Sequence, residues 1–208
     1  MKTDIYHITH IRNLELILQH GCLWCDNERN TQSLASVGIA HEHIKQRRSG
    51  RKVPLGRGGT LANYVPFYFA PRSPMLYAIH TSRVANYADG QKPVLHLVSS
   101  AEAVTTGNLP FVFTNGHAEI AYSKFYDNLK DLDQVDWSIM KETWWKDTDD
   151  DGDRKRRRQA EFLVHRSFPF SLISAIGVYS GTQAAEVKQI LAKYDYQIPV
   201  IEQRNWYY

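Results

Sequence analysis

A single α+β domain is what the sequence predicts, and three observations predict it. The chain has 208 residues, enough for one domain with a substantial core and too few for two. Segments of period two alternate with segments of helical period along its length, without an internal repeat or a Gly-rich phosphate-binding signature. No stretch reaches the length of a membrane span, and the N-terminus lacks a basic region followed by an apolar core, so a soluble cytoplasmic protein is expected.

Residues 5–10 alternate as a first strand, with His7 on the face opposite Tyr6 and Ile8. Leu14, Ile17 and Leu18 then recur at helical spacing, and Gly21 stands where a left-handed residue ends a helix. A strand-to-helix turn carrying His7 and Thr9 suits a polar ligand, because exposed amides at a helix start attract anions. Taken alone, a histidine there reads as structural. Residues 26–36 are polar and predict an irregular link, and a helix over 37–48 with a strongly basic end follows. Arg47, Arg48, Arg51, Lys52 and Arg57 crowd a span that passes into Gly56-Arg57-Gly58-Gly59, a composition suited to a mobile loop. Such a face is either merely solvated or contacts phosphate, with one guanidinium reserved for chemistry as a permanent cation with a fixed fork of donors.

An aromatic strand over 64–69 contains Pro66, whose missing ladder donor predicts an edge or a bulge. Ser73 and Pro74 open a helix with Met75, Leu76 and Ile79 on its apolar face. Strands over 94–99 and 111–114 come next. From 115 to 153 polar and aromatic residues dominate, with helical patches over 122–132 and 137–145, and the segment reads as an insertion. It ends in Asp147-Thr148-Asp149-Asp150-Asp151-Gly152, the opening of a calcium loop, but Arg158 stands where the bidentate glutamate belongs. A solvated, mobile loop is expected there instead. A strand over 173–179, a helix over 182–194 and a short strand over 198–201 complete the chain.

The strand over 159–165 places Ala160, Phe162 and Val164 on one face and Leu163 on the other, as when both faces are covered. Glu161 then points where an ionised carboxylate costs on the order of several kcal/mol unless a partner or a wet cleft receives it. It is either the partner of an arginine in 154–158 or a catalytic carboxylate on a cleft floor. Cys22 and Cys25 form Cys-Leu-Trp-Cys, but the pair follows a helix stop, and zinc would need two further ligands, for which His41 and His43 are poorly spaced. Two small half-buried residues and no metal are expected. The formal charge of +3 is mild, yet its clustering favours a polyanion.

Taken together, the stretches over 6–10, 65–76, 95–100 and 159–164 resemble the DarT family of bacterial toxins, which transfer ADP-ribose from NAD onto DNA bases, and in particular the branch that modifies thymidine in single-stranded DNA. The resemblance covers nearly the whole chain. It implies an ADP-ribosyltransferase fold, a split mixed β-sheet with flanking helices and an NAD cleft between its halves. It places a nicotinamide-pocket histidine at His7, main-chain contacts at Ile8 and Thr9, and further NAD contacts at Leu16 and Trp24. The essential arginine falls on Arg48, beside Arg47, the catalytic glutamate on Glu161 and a loop histidine on His117. Residues 115–160 become the loop that presents substrate. NAD+ is then the co-substrate, and single-stranded DNA and a macrodomain antitoxin are the partners. Arg51, Lys52, Arg57 and the run 154–158, Arg154 included, are expected on phosphates, with affinity falling by up to ~10³ between about 50 and about 200 mM salt. The other readings are an RNA 2′-phosphotransferase using NAD and a nucleic-acid-binding module without catalysis.

Overall fold

The runs rich in β-branched and aromatic residues fold into one eight-stranded sheet, with helices where the apolar period lengthens. The structure, a computed structural model, describes residues 2–34 and 36–208. In chain order it contains β1 (Asp4–His10), α1 (Leu14–His20), β2 (Cys22–Trp24), α2 (Asp26–Thr31), α3 (Glu42–Gly50), β3 (Tyr64–Tyr68), α4 (Pro74–His80), β4 (Val94–Ser100) and α5 (Ala101–Thr106). There follow β5 (Phe111–His117), β6 (Phe125–Tyr126), α6 (Trp137–Lys141), α7 (Arg154–Arg158), β7 (Ala160–His165), β8 (Ser167–Pro169), β9 (Ala175–Val178), α8 (Gly181–Lys193) and β10 (Val200–Glu202). The strand order is β10-β9-β4-β1-β3-β7-β5-β6. Its pairs are antiparallel apart from β10 with β9, so the sheet is mixed, and β2 and β8 form a separate ribbon. Among the described residues no helix is long and apolar enough to cross a membrane.

The sheet is torn in the middle. β1 pairs with β4 from Asp4↔Ser100 to His10↔Val94, but it meets β3 at Tyr6↔Tyr68 alone. Past that point the ring of His7 reaches across, its Nδ1 2.8 Å from the Pro66 carbonyl oxygen. Pro66 thus lies inside the sheet and not at the edge that the sequence predicts. The N and C=O of one strand residue point the same way, so the donor that proline lacks faces the tear, where no partner strand asks for it.

Both faces of the sheet carry core. From β7, Phe162 and Val164 join Phe67, Phe113, Phe168 and Phe170, while Leu163 packs with Val53, Leu61, Tyr64 and Val112. Each such burial contributes roughly 1.5–3 kcal/mol. The alternation predicted for this strand is realised, and Glu161 shares the face of Leu163. Gly21 ends α1 at φ 65°, and the Ser73 hydroxyl accepts from the Leu76 amide at 3.1 Å to open α4, both as predicted.

Other stretches differ from expectation. The link over 26–36 contains α2, with Cys25 as its N-cap. The helix predicted from 37 begins at Glu42, because Ile39 is drawn into a core cluster with Leu76, Ile79 and Val94. The patch over 122–132 is β6 followed by a 3-10 turn, Leu129–Gln134. The glycine-rich stretch is a tied turn and not a mobile loop: Val53 donates to the Gly59 carbonyl, and the Tyr64 hydroxyl to that of Gly58 at 2.9 Å. Cys22 lies in β2 and Cys25 is buried, and burial raises both thiol pKa values.

The acidic run 147–153 is built in as well. Asp147 accepts from the Lys155 amide, Asp153 pairs with Arg156, and Asp136 and Asp151 pair with Arg157. Arg158 is 4% exposed and donates to the carbonyls of Arg72, Ile139, Met140 and Glu142. Arg156, Arg157 and Arg158 are therefore spent inside the chain, which corrects the expectation that the whole run meets phosphate. The carboxylates of Asp151 and Asp153 thereby neutralise neighbouring guanidiniums.

Candidate active site

The tear between β1 and β3 opens onto a cavity whose wall includes His7, Ile8, Thr9, Leu16, Trp24 and Arg48, with Glu161 and Tyr68 beside them. All the residues that the resemblance assigns to NAD lie together there. A second cavity, lined by His117, Tyr77, Trp145, Lys146 and Lys155 among others, shares Arg48, Tyr68 and Glu161 with the first. The two meet there, and Ile44 and Met75 are also common to both walls.

Strand register puts Glu161 on β7 opposite Tyr68 on β3. Its carboxylate is 4% exposed and accepts from Arg48 Nη1 at Oε2 (2.8 Å) and from the Ala118 amide at Oε1 (3.3 Å). The ion partner is thus none of the arginines just before it but one 113 positions earlier. Arg48 comes from α3, a short helix without an apolar stripe, in which Arg48 is itself buried at 9% exposure. Such a helix is held by its charged contacts more than by hydrophobic burial.

Burial works against the Arg48 cation, but the charge and hydrogen bond of Glu161 outweigh it and raise the pKa, so Arg48 is a fixed cation and not a proton acceptor. Burial, then the charge of Glu161, raises the pKa of Tyr68, which stays a neutral phenol. Burial lowers the pKa of His7 to about 4, so the ring is neutral at pH 7. A carbonyl only accepts, so His7 Nδ1 carries the proton toward Pro66 and leaves Nε2 as an acceptor. Arg48 Nη2 and Trp24 Nε1, on the first cavity's wall, are buried donors without a partner among the described residues. Each costs about 1–3 kcal/mol left so, and a large polar ligand with phosphate, hydroxyl and amide oxygens would satisfy both.

The remaining predicted residues lie elsewhere. Arg51 donates to the carbonyls of Ala118 (3.3 Å) and Ile120 (3.4 Å), and Arg154 to those of Trp144 (2.9 Å) and Lys146 (3.1 Å). Lys52 forms a bridge with Thr60, and Arg57 sits in the glycine turn. None of these four lines either cavity. Tyr68 and Lys146 line them and are not among the site residues that the sequence points to, whereas Lys155, in the second cavity, belongs to the run expected on phosphates. Tyr68 was findable, since a strand reading of 64–69 paired with 159–165 sets an aromatic near Glu161. Among the described residues no group of His, Cys, Asp and Glu could hold a metal ion.

The buried histidines fix a pH dependence of stability. His7 and His96 both titrate near 4 in the folded chain, from burial, against about 6.5 unfolded. Between those values the unfolded chain binds protons that the native one excludes, so stability falls as the pH falls through that window. Urea unfolding at pH 4.5 should show a loss relative to pH 7 of up to ~3 kcal/mol per histidine, and the loss should shrink in His7→Gln. An equal loss in that variant would contradict the assignment.

The torn sheet, with its cavity between the halves, fits the ADP-ribosyltransferase class that the resemblance implies. The chain belongs to the family described as ssDNA thymidine ADP-ribosyltransferase, DarT, whose sequence model matches residues 6–208. It is 45% identical to a DNA ADP-ribosyl transferase of Thermus sp. (strain 2.9), over 99% of this chain and 96% of that one. The structure of Thermus sp. 2.9 DarT in complex with ADP-ribosylated ssDNA superposes with a TM-score of 0.92 at 44% identity, covering 99% of this chain and 96% of that one. The same DarT in complex with NAD+ gives 0.89 at 42% identity, covering 99% and 98%. The predicted fold and enzyme class hold, and the protein is a DNA ADP-ribosyltransferase.

Proposed function

We propose that the protein, with residues 1–208 acting as one domain, transfers ADP-ribose from NAD+ to a thymidine base of single-stranded DNA, as the toxin of a toxin–antitoxin pair. The observation that carries this reading is the meeting of two cavities at Arg48, Tyr68 and Glu161, which would bring a donor nucleotide and an acceptor base to one carboxylate. NAD+ supplies the ADP-ribosyl group through rupture of its nicotinamide–ribose bond, which leaves positive charge on the sugar. Glu161, held from two sides, stabilises that charge more than the ground state. His7 offers NAD+ an acceptor at Nε2, and Trp24, on the same cavity wall, offers it a donor at Nε1. A thymine ring nitrogen is a poor nucleophile until its proton leaves. Arg48 eases that loss by polarising the base through Nη2 while Nη1 holds Glu161, whose carboxylate takes the proton as the new bond to the sugar forms and nicotinamide departs.

The second cavity takes the base, with His117, Tyr77 and Trp145 as polar and aromatic wall and Arg83, Lys146 and Lys155 as cations. Three phosphate contacts from those cations give a salt slope near −2, so affinity for a single-stranded oligonucleotide should fall about 20-fold between about 50 and about 200 mM salt. That is less than the clusters in the sequence predict, because several arginines are engaged within the chain. A flat response in fluorescence anisotropy would remove DNA from this cavity. An enzyme that marks DNA acts where DNA is, in the cytoplasm, and a macrodomain antitoxin that removes the ADP-ribose is the partner this reading calls for.

The deciding experiment is mass spectrometry of oligonucleotides incubated with protein and NAD+: a thymidine-containing single strand, the same sequence without thymidine, its duplex and an RNA copy. One added ADP-ribose on the first alone is expected. Modification of the RNA, or of the strand without thymidine, would overturn the substrate assignment.

A further inference from the structure

The turn after β5, residues 117–120, is tied to the end of α3 by side chains that line neither cavity. Glu119 Oε2 accepts from Arg47 Nε at 2.8 Å, and Arg51 donates to the carbonyls on either side of Glu119. The Glu119 side chain is only 9% exposed, whereas that of Arg47 is 59% exposed, so a largely buried carboxylate depends on one guanidinium arriving from the surface. An exposed ion pair would be worth little, but a buried carboxylate deprived of its partner is not tolerated in place. The turn has two further links. Its Ala118 amide donates to Glu161 Oε1, and its Glu119 amide donates to His117 Nδ1 at 3.2 Å. An Nδ1 that accepts leaves the proton on Nε2, so the turn also sets the tautomer that His117 presents to the second cavity.

We propose that Arg47 and Glu119 are positioning residues for the transfer step: their ion pair latches the turn that orients both Glu161, through the Ala118 amide, and His117, through the Glu119 amide. Arg47 and Arg48 are neighbours on α3, and Ala118 and Glu119 are neighbours on the turn. Two adjacent links therefore join α3 to the turn, a direct one from Arg47 to Glu119 and a bridged one in which the Glu161 carboxylate of β7 accepts from Arg48 on one oxygen and from Ala118 on the other. Neither Arg47 nor Glu119 lines the first cavity, so the latch governs turnover and acceptor engagement and leaves NAD+ binding alone. The inference rests on the DNA-transferase reading above.

The test is a double-mutant cycle on Arg47→Gln, Glu119→Gln and the double variant, with kcat and KM for modification of a single-stranded thymidine oligonucleotide, NAD+ affinity by calorimetry, and melting temperature. Each single variant should lower kcat about tenfold, and the double variant should be no worse than either single one, since both break one latch. NAD+ affinity should stay within about twofold, and Arg47→Lys should recover most of the lost turnover. Multiplying effects, an unchanged kcat, or a loss of NAD+ affinity parallel to the loss of kcat would overturn the latch while the wild type still modifies DNA. A wild type that modifies no DNA would instead fell the transferase reading, and the latch with it.

Discussion

Glu161→Gln is expected to lower ADP-ribose transfer by roughly 10²–10³-fold or more while the chain stays folded and still takes up NAD+. The variant keeps the shape of the side chain and an oxygen for Arg48 Nη1 or the Ala118 amide, so the frame around it survives. What it removes is the full negative charge, and only that charge stabilises the developing positive sugar more than the bound substrate. Glu161→Ala is the harsher change. It leaves Arg48 as a buried cation without its carboxylate, which costs about 3–5 kcal/mol, so a loss of activity there mixes chemistry with stability. Activity of Glu161→Gln within tenfold of the wild type, by mass spectrometry of the oligonucleotide with melting temperature as control, would remove Glu161 from the chemistry.

Arg48→Lys is expected to cost about 10²-fold in turnover, although charge is conserved. One guanidinium nitrogen holds Glu161 Oε2 and the other is an unpaired buried donor at the cavity wall, so the residue works in two directions at once. A lysine ammonium ends in one point. It can follow Glu161 or face the acceptor, and burial disfavours its charge more readily than that of arginine. The variant also separates Arg48 from its neighbour: Arg47 reaches in from the surface to a single oxygen of Glu119, a contact that one ammonium can make, whereas Arg48 needs the fork. Near-normal kcat in Arg48→Lys would show that a single charge suffices at this position.

How much of this could be read beforehand depends on where the determinants lie along the chain. β1, α1, α4 and β7 were legible because each is decided locally, by alternation, by a capping serine or by a glycine at positive φ. That His7, Trp24 and Arg48 share one cavity wall was legible only through resemblance, because they come from separate elements and no local pattern joins them. The start of α3 was not legible because the core cluster that draws Ile39 out of the helix is formed by Leu76, Ile79 and Val94, which lie far along the chain. The basic run 154–158 misled for a related reason. A cluster of cations reads as a polyanion site until the three-dimensional arrangement shows which carboxylates and carbonyls consume it, as they do for Arg156, Arg157 and Arg158.

The tear beside Pro66 has a mechanical meaning. One block of the molecule is β10-β9-β4-β1, the other β3-β7-β5-β6, and within the sheet a lone backbone pairing at Tyr6 and Tyr68 joins them, with the His7 ring as a strut. A nucleotide lying in that gap touches both blocks and becomes a keystone. On the proposed reading the substrate is then also a structural member, and the rigidity that would align Glu161 with its target arrives together with the molecule on which it acts.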